Sequence, residues 1–202
     1  MNITEANIQL RNKSFLEIIE WSLPQAKNPV ITTNFRPYEG AILHAVSQVK
    51  PDIKVIWCDT GYNTAATYKV AEELIKKLSL NIETYVPKQT VAFRNNNIGI
   101  PSIGDPNHKL FSDQVKLEPF LRAMKEHKPD FWFTNIRKGQ TEFRNGIDVV
   151  SKDSNGTIKV SPFYHWTDQE LDIYMKENNI PNEIDYYDPT KVLDNRECGI
   201  HS

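Results

Sequence analysis

Residues 29–58 read PVITTNFRPYEGAILHAVSQVKPDIKVIWC. Pro29 to Thr33 has the apolar, β-branched content of a short buried strand. Tyr38 to Val49 places Ala41, Leu43, Ala45 and Val46 at helical intervals, and Ile53 to Cys58 returns to strand composition. A strand, a helix and a strand in this order predict a parallel pair joined by a crossover. The same alternation runs outward. Upstream, Leu10, Phe15, Ile18 and Ile19 mark a helical face. Downstream, Val70, Ala71, Leu74, Ile75 and Leu78 predict a helix and Ile82 to Val86 a third strand. Thr90 to Phe111 reads as a long surface loop with room for one turn of helix, because it holds three consecutive asparagines, Gly99, Pro101, Gly104 and Pro106. A helix is expected to start near Pro119, and Phe131 to Asn135 to form a fourth strand. Val149 to Val160 suits a hairpin over Asn155-Gly156, and Thr167 with Glu170 is a capping-box pattern. From Tyr186 the periodicity stops. No internal repeat or low-complexity tract interrupts the chain. The expectation is an α/β protein with a parallel sheet flanked by helices.

The chain has 202 residues, 39% of them apolar, which suits one domain. A chain of this length buries roughly 70% of its unfolded surface and needs no disulfide or metal to hold a core. No apolar run approaches the ~20 residues of a membrane span, and Met1-Asn2-Ile3-Thr4-Glu5 lacks the features of a signal peptide. The expected setting is the cytosol, with no membrane association. Two cysteines, Cys58 and Cys198, are not expected to pair as a disulfide in a reducing compartment, and are too few for a four-cysteine cluster or zinc site. The net charge of −2 argues against a nucleic-acid partner. Any anionic ligand has to find a local basic cluster. The five histidines have no metal-ligand spacing, so no metal is expected.

Ligands of open parallel sheets bind at the carboxyl ends of the strands. Here these ends read Thr32-Thr33-Asn34-Phe35-Arg36, Asp59-Thr60-Gly61-Tyr62 and Asn135-Ile136-Arg137-Lys138-Gly139-Gln140. They would converge on one rim if the strands are neighbours. The first loop feeds a helix whose amides attract phosphate, and Gly40 is a candidate for close approach; an ordinary β–α turn explains it equally. Asp59 and Gly61 are also simply turn residues. Arg137, Lys138 and Arg144, beside Gln140, suit the bidentate capture of phosphate or sulfate oxygens. The alternative is a solvated helix start, made less comfortable by the macrodipole. Cys58 lies in an apolar run and reads as a small core hydrophobe. Cys198 lies in Arg196-Glu197-Cys198-Gly199-Ile200-His201, where Arg196 and His201 would favour a thiolate. It is a candidate nucleophile, the alternative being an inert thiol.

These motifs together resemble the phosphoadenylyl-sulfate reductase family from about Val30 to His201. The most specific piece is Glu197-Cys198-Gly199-Ile200-His201, similar to that family's E-C-G-[LI]-H signature. Lys116-Leu117-Glu118-Pro119 resembles its K-V-E-P segment. Arg137-Lys138 with Gln140 and Arg144 resembles its arginine-rich substrate segment, and the strand ending in Asp59-Thr60-Gly61-Tyr62 one of its strand-and-turn units. Pro162 with Trp166-Thr167 matches a further step. The resemblance implies an adenine-nucleotide-α-hydrolase-like fold. It implies a sulfonucleotide-binding α/β domain over 1–186 and a mobile C-terminal tail, 187–202, carrying the catalytic cysteine. It also implies a homodimer and reduction of 3′-phosphoadenylyl sulfate by way of a Cys198 thiosulfonate. Thioredoxin or glutaredoxin would be the electron donor, with no bound cofactor. Thr33, Arg36, Asp59, Lys116, Arg137, Lys138, Gln140, Arg144, Arg196 and His201 are the expected substrate-binding residues, with Arg36 standing in for amide contacts in the first loop. The sister branch that reduces adenylyl sulfate carries extra cysteines for an iron–sulfur cluster, so the cysteine count favours the phosphorylated substrate. Two other functions fit the fold: an ATP-dependent adenylating enzyme, which would need a serine- and glycine-rich loop and no Cys198, and a non-catalytic nucleotide-binding protein.

Overall fold

The computed structural model describes residues 1–102 and 104–190. Cys198, Arg196 and His201 therefore lie outside the described residues. Two short helices, α1 (Ile3–Leu10) and α2 (Phe15–Ser22), precede the first strand. Then follow β1 (Pro29–Thr33), α3 (Glu39–Val49), β2 (Lys54–Cys58), α4 (Ala65–Lys77) and β3 (Asn81–Tyr85). Next come α5 (Val91–Asn97), α6 (Asn107–Ser112), a π-helical turn (Asp113–Leu117), α7 (Glu118–His127) and β4 (Phe131–Phe133). The short α8 (Glu142–Asn145), the hairpin of β5 (Val150–Lys152) and β6 (Ile158–Val160), and α9 (Asp168–Glu177) complete the described elements.

Among the described residues the strands form one sheet in the order β3-β2-β1-β4-β6-β5, parallel except for the β5–β6 pair. Its strands alternate faces as a pleat requires. Ile31, Val55, Phe131 and Phe133 join the larger core with α2, α3, α4 and α9, whereas Val30, Ile56 and Trp132 pack on Phe120 and Ala123 of α7. Val30, Ile31, Val55 and Ile56 are all fully buried, as a sheet covered on both faces demands. The open edge of β5 is handled by one side chain: Asn7 of α1 accepts from the Val150 amide and donates to its carbonyl, both at 2.8 Å. The amide thus does what a further strand would do, and blunts the edge.

The strand limits follow the sequence reading within about two residues. The capping box predicted at Thr167 and Glu170 is present. The stretch Thr90 to Phe111 corrects it. Instead of a loop with one turn of helix it holds α5 and α6. Thr90 caps the first by accepting from the Phe93 amide at 3.2 Å, a signal outweighed in the sequence by the asparagines and Gly99. Gly40 also has a different purpose from ligand approach. A Cβ there would come within 2.8 Å of Ile180 and 2.9 Å of Met175, so the glycine lets α3 lie close against the end of α9.

Candidate active site

The chain leaves β1 for β2 on one side while β4 adds on the other, so the crevice between the carboxyl ends of β1 and β4 is the topological switch point of the sheet. The three polar strand ends meet here, because β2, β1 and β4 are consecutive neighbours.

The loop after β1 consumes most of its own amides. Thr33 Oγ1 accepts from the Phe35 amide at 3.0 Å and Asn34 Oδ1 from the Arg36 amide at 3.2 Å. Asn182 Oδ1 accepts from the Tyr38 amide at 2.8 Å. Arg36 forms an ion pair with Glu39 at 2.8 Å. Phe35 and Tyr38 adopt left-handed φ values of 53° and 68°, uncommon for bulky residues. The loop is held by side-chain caps rather than by glycines. In the turn after β2, Asp59 accepts from the Gly61 amide, from Asn63 and from the Tyr68 hydroxyl, between 2.8 and 3.2 Å. Burial and the adjacent Asp59 charge push the Tyr68 hydroxyl up to about 12.

The loop after β4 carries the basic cluster. Arg137 and Arg144 are 6% and 2% exposed, so neither is a solvated surface arginine. Gln140 Oε1 accepts from the Arg137 amide at 3.0 Å and from Arg144 Nη1 at 2.5 Å, tying the two together. Arg137 also forms an ion pair with Asp168 and covers the Tyr38 ring at 5.5 Å. The Lys138 amide and the Arg144 carbonyl are pinned to Tyr164, at 2.8 and 2.9 Å. Lys138 itself is exposed. The helix begins at Glu142 with Thr141 as its cap, and Arg144 lies in its last turn. The alternative of a solvated helix start is not met: Arg137 and Arg144 are buried, Arg144 sits where the macrodipole favours a cation, and Arg137 and Lys138 lie in the loop before the helix.

Lys116 is 5% exposed and forms an ion pair with Asp188, with Thr190 Oγ1 at 3.3 Å. Asp188 Oδ1 in turn accepts from the Thr190 amide and hydroxyl at 3.0 and 2.7 Å. The sequence did not single out Asp188 as a partner. It is one of four attachments that lead the segment after α9 across the carboxyl edge. Asn182 holds the Tyr38 amide, the Asp185 carbonyl accepts from Thr64 at 2.9 Å and Thr67 at 3.3 Å, and the Tyr186 hydroxyl accepts from Asn34 at 2.9 Å. Each contact spans more than seventy residues of sequence, so no local pattern reports it. A second missed residue is Arg94, 1% exposed, which donates to the Gln89 carbonyl at 2.8 Å and the Tyr62 hydroxyl at 3.4 Å. Its Nε has no partner among the described residues.

Cys58 ends β2, and burial pushes its thiol up to about 12, against the pull of Lys116 and Arg122. Such a thiol is not a nucleophile near neutral pH. Cys58→Ala is expected to keep full activity and to lose on the order of 1 kcal/mol of stability, as for a small cavity. Activity and urea unfolding measured on one preparation test this; loss of turnover in a folded variant would give Cys58 a chemical role.

A mostly parallel sheet with its polar and basic loops gathered at the switch point defines an α/β protein of the adenine-nucleotide-α-hydrolase-like class. Residues 28–185 match the phosphoadenosine phosphosulfate reductase domain. The chain belongs to that family. A phosphoadenosine 5′-phosphosulfate reductase of Vibrio parahaemolyticus is 30% identical over 182 residues, which cover 89% of this chain and 70% of the relative. One from Xylella fastidiosa is 31% identical over 177 residues, 87% of this chain and 74% of the relative. The phosphoadenylyl-sulfate reductase of Candida auris, solved as a phosphate complex, superposes with a TM-score of 0.79 at 27% identity, covering 89% of this chain and 87% of the other.

Proposed function

We propose that this protein reduces 3′-phosphoadenylyl sulfate to sulfite and adenosine 3′,5′-bisphosphate. The Cys198 thiolate attacks the sulfate sulfur, the bond from sulfur to the bridging phosphate oxygen breaks, and the bisphosphate leaves with that oxygen. Cys198 then carries a thiosulfonate. A thioredoxin or glutaredoxin dithiol supplies two electrons, releasing sulfite and becoming a disulfide. Covalent catalysis separates nucleotide loss from reduction, and no resident cofactor takes part. In keeping with the resemblance, the enzyme works as a cytosolic homodimer.

The observation that carries this reading is the placement of Arg137 and Arg144, buried and cross-tied through Gln140, beside the switch-point crevice. An anion attacking an anion needs fixed cations to offset the repulsion, and preorganised guanidinium groups do so without reorganisation. Lys116 and Arg36 are the further cations of the carboxyl edge, while Thr33, Asp59 and Lys138 shape it. Arg196 and His201 flank the nucleophile in sequence. Family membership supports the same reaction.

Sulfite release with thioredoxin, assayed against 3′-phosphoadenylyl sulfate and adenylyl sulfate, tests the proposal. Turnover of the phosphorylated substrate is expected. No release from either would overturn it. In the same assay Arg144→Ala is expected to weaken nucleotide binding about ten- to a hundredfold, as for one lost charge-assisted contact, whereas Lys27→Ala has no effect. Equal binding by both variants would remove Arg144 from the anion site.

A further inference from the structure

We propose that Asn135 determines nucleoside specificity: its Oδ1 accepts a hydrogen bond from a donor on the nucleoside, either the amino group of the base or a ribose hydroxyl. This rests on the functional reading above.

Asn135 lies two residues beyond the end of β4 and borders the crevice between β4 and β1. It is 4% exposed. Its Nδ2 donates to the Tyr38 carbonyl at 3.0 Å, which fixes the amide orientation, since a flipped amide would set two oxygens against each other. Oδ1 is then the free end, and it is a buried acceptor with no donor among the described residues. Buried acceptors are nearly always satisfied, because leaving one dry forfeits its hydration without return. Two residues on, Arg137 shows the complementary anomaly, a buried Nε with no acceptor among the described residues. Both residues bracket Tyr38, one through its carbonyl and the other through its ring. An unfilled acceptor and an unfilled donor on one loop suit a ligand that offers both kinds of group, as a nucleoside does. Neither atom meets solvent, so a ligand reaches them only by displacing a neighbouring group, and Tyr38 is the neighbour that touches both residues. Tyr38 is partly exposed and held at a φ of 68°, a conformation that costs an L residue free energy and is kept only by its surroundings.

The test is equilibrium binding of adenosine 3′,5′-bisphosphate, its inosine counterpart and its 2′-deoxy counterpart to the full chain. Wild type is expected to prefer the adenosine ligand by roughly tenfold over whichever analogue lacks the donor that Asn135 reads. Inosine loses preference if the base amino group is read, and the deoxy ligand if the ribose is. In Asn135→Ala that ratio should fall to about one. In Asn135→Asp, which keeps acceptor oxygens but cannot donate to Tyr38, the ratio should survive. A purely structural role would affect all ligands alike and both variants alike, and that outcome overturns the proposal, as does a wild type that binds all three equally. If wild type binds none of the three, the functional reading itself fails and the proposal falls with it. If wild type discriminates and Asn135→Ala does so unchanged, only the role of Asn135 is lost.

Discussion

Replacing Cys198 by serine is expected to abolish sulfite release while leaving nucleotide binding nearly unchanged. The thiolate is the only species in this scheme that can take the sulfonate group. A serine hydroxyl is far less acidic and cannot accumulate as an anion near pH 7, so turnover should fall on the order of a thousandfold or more. Nucleotide affinity is assigned to the arginine-bearing loop after β4, so it should survive. Cys58 provides an internal control, since its thiol is held at about 12 and offers no substitute nucleophile. Incubation with labelled sulfonucleotide should place label on wild type and none on the variant. Substantial turnover by Cys198→Ser, or label retained on Cys58, would sink the assignment.

The second large effect concerns Lys116 and Asp188. Their side chains are 7% and 4% exposed. Removing one partner of a buried ion pair strands the other charge and typically costs about 3–5 kcal/mol. Lys116→Ala is therefore expected to lower the melting temperature by roughly 6–20 °C in a chain of this size. It should also release the segment at Asp188 from the carboxyl edge. Burial alone would raise the Asp188 carboxyl, but the Lys116 charge and the hydrogen bonds from Lys116 and Thr190 outweigh it and hold it below its ordinary 3.8. A folded-state value below the unfolded one means that the unfolded chain binds the proton more readily. The stabilisation is therefore complete above about pH 4 and is lost as the pH falls through the folded-state value. Asp188→Asn should show a smaller loss of stability than wild type between pH 5 and pH 3. Parallel acid profiles, with Lys116→Ala as stable as wild type, would mean that the pair contributes nothing.

How the site was legible differs residue by residue. Thr33, Asp59 and Arg137 could be picked out as polar strand ends because strand limits are set by local apolar runs, and those runs are unambiguous here. Asn135 was visible in the same strand end, but nothing local marks its amide as half-satisfied; that depends on a Tyr38 carbonyl brought in by β1. Arg144 was recognised as a basic candidate, but its burial in the last turn of a helix capped by Thr141 was not legible. The π-helical turn that buries Lys116 has no sequence signature of its own.

By itself the sequence determined the alternation of strands and helices, the two ends of the hairpin, the capping box at Thr167, and the candidate nucleophile with its basic neighbours. These are properties of periodicity, turn chemistry and residue type, all expressed over a few positions. Only the tertiary structure decided the order β3-β2-β1-β4-β6-β5, hence which loops share a crevice. It also decided the helicity of Val91–Asn97 and Asn107–Ser112, the pairing of Lys116 with Asp188, and the path of 182–190 across the carboxyl edge. The reason is physical: these features arise from contacts between residues far apart in sequence, whose free energy exists only once the sheet has brought them within hydrogen-bonding distance.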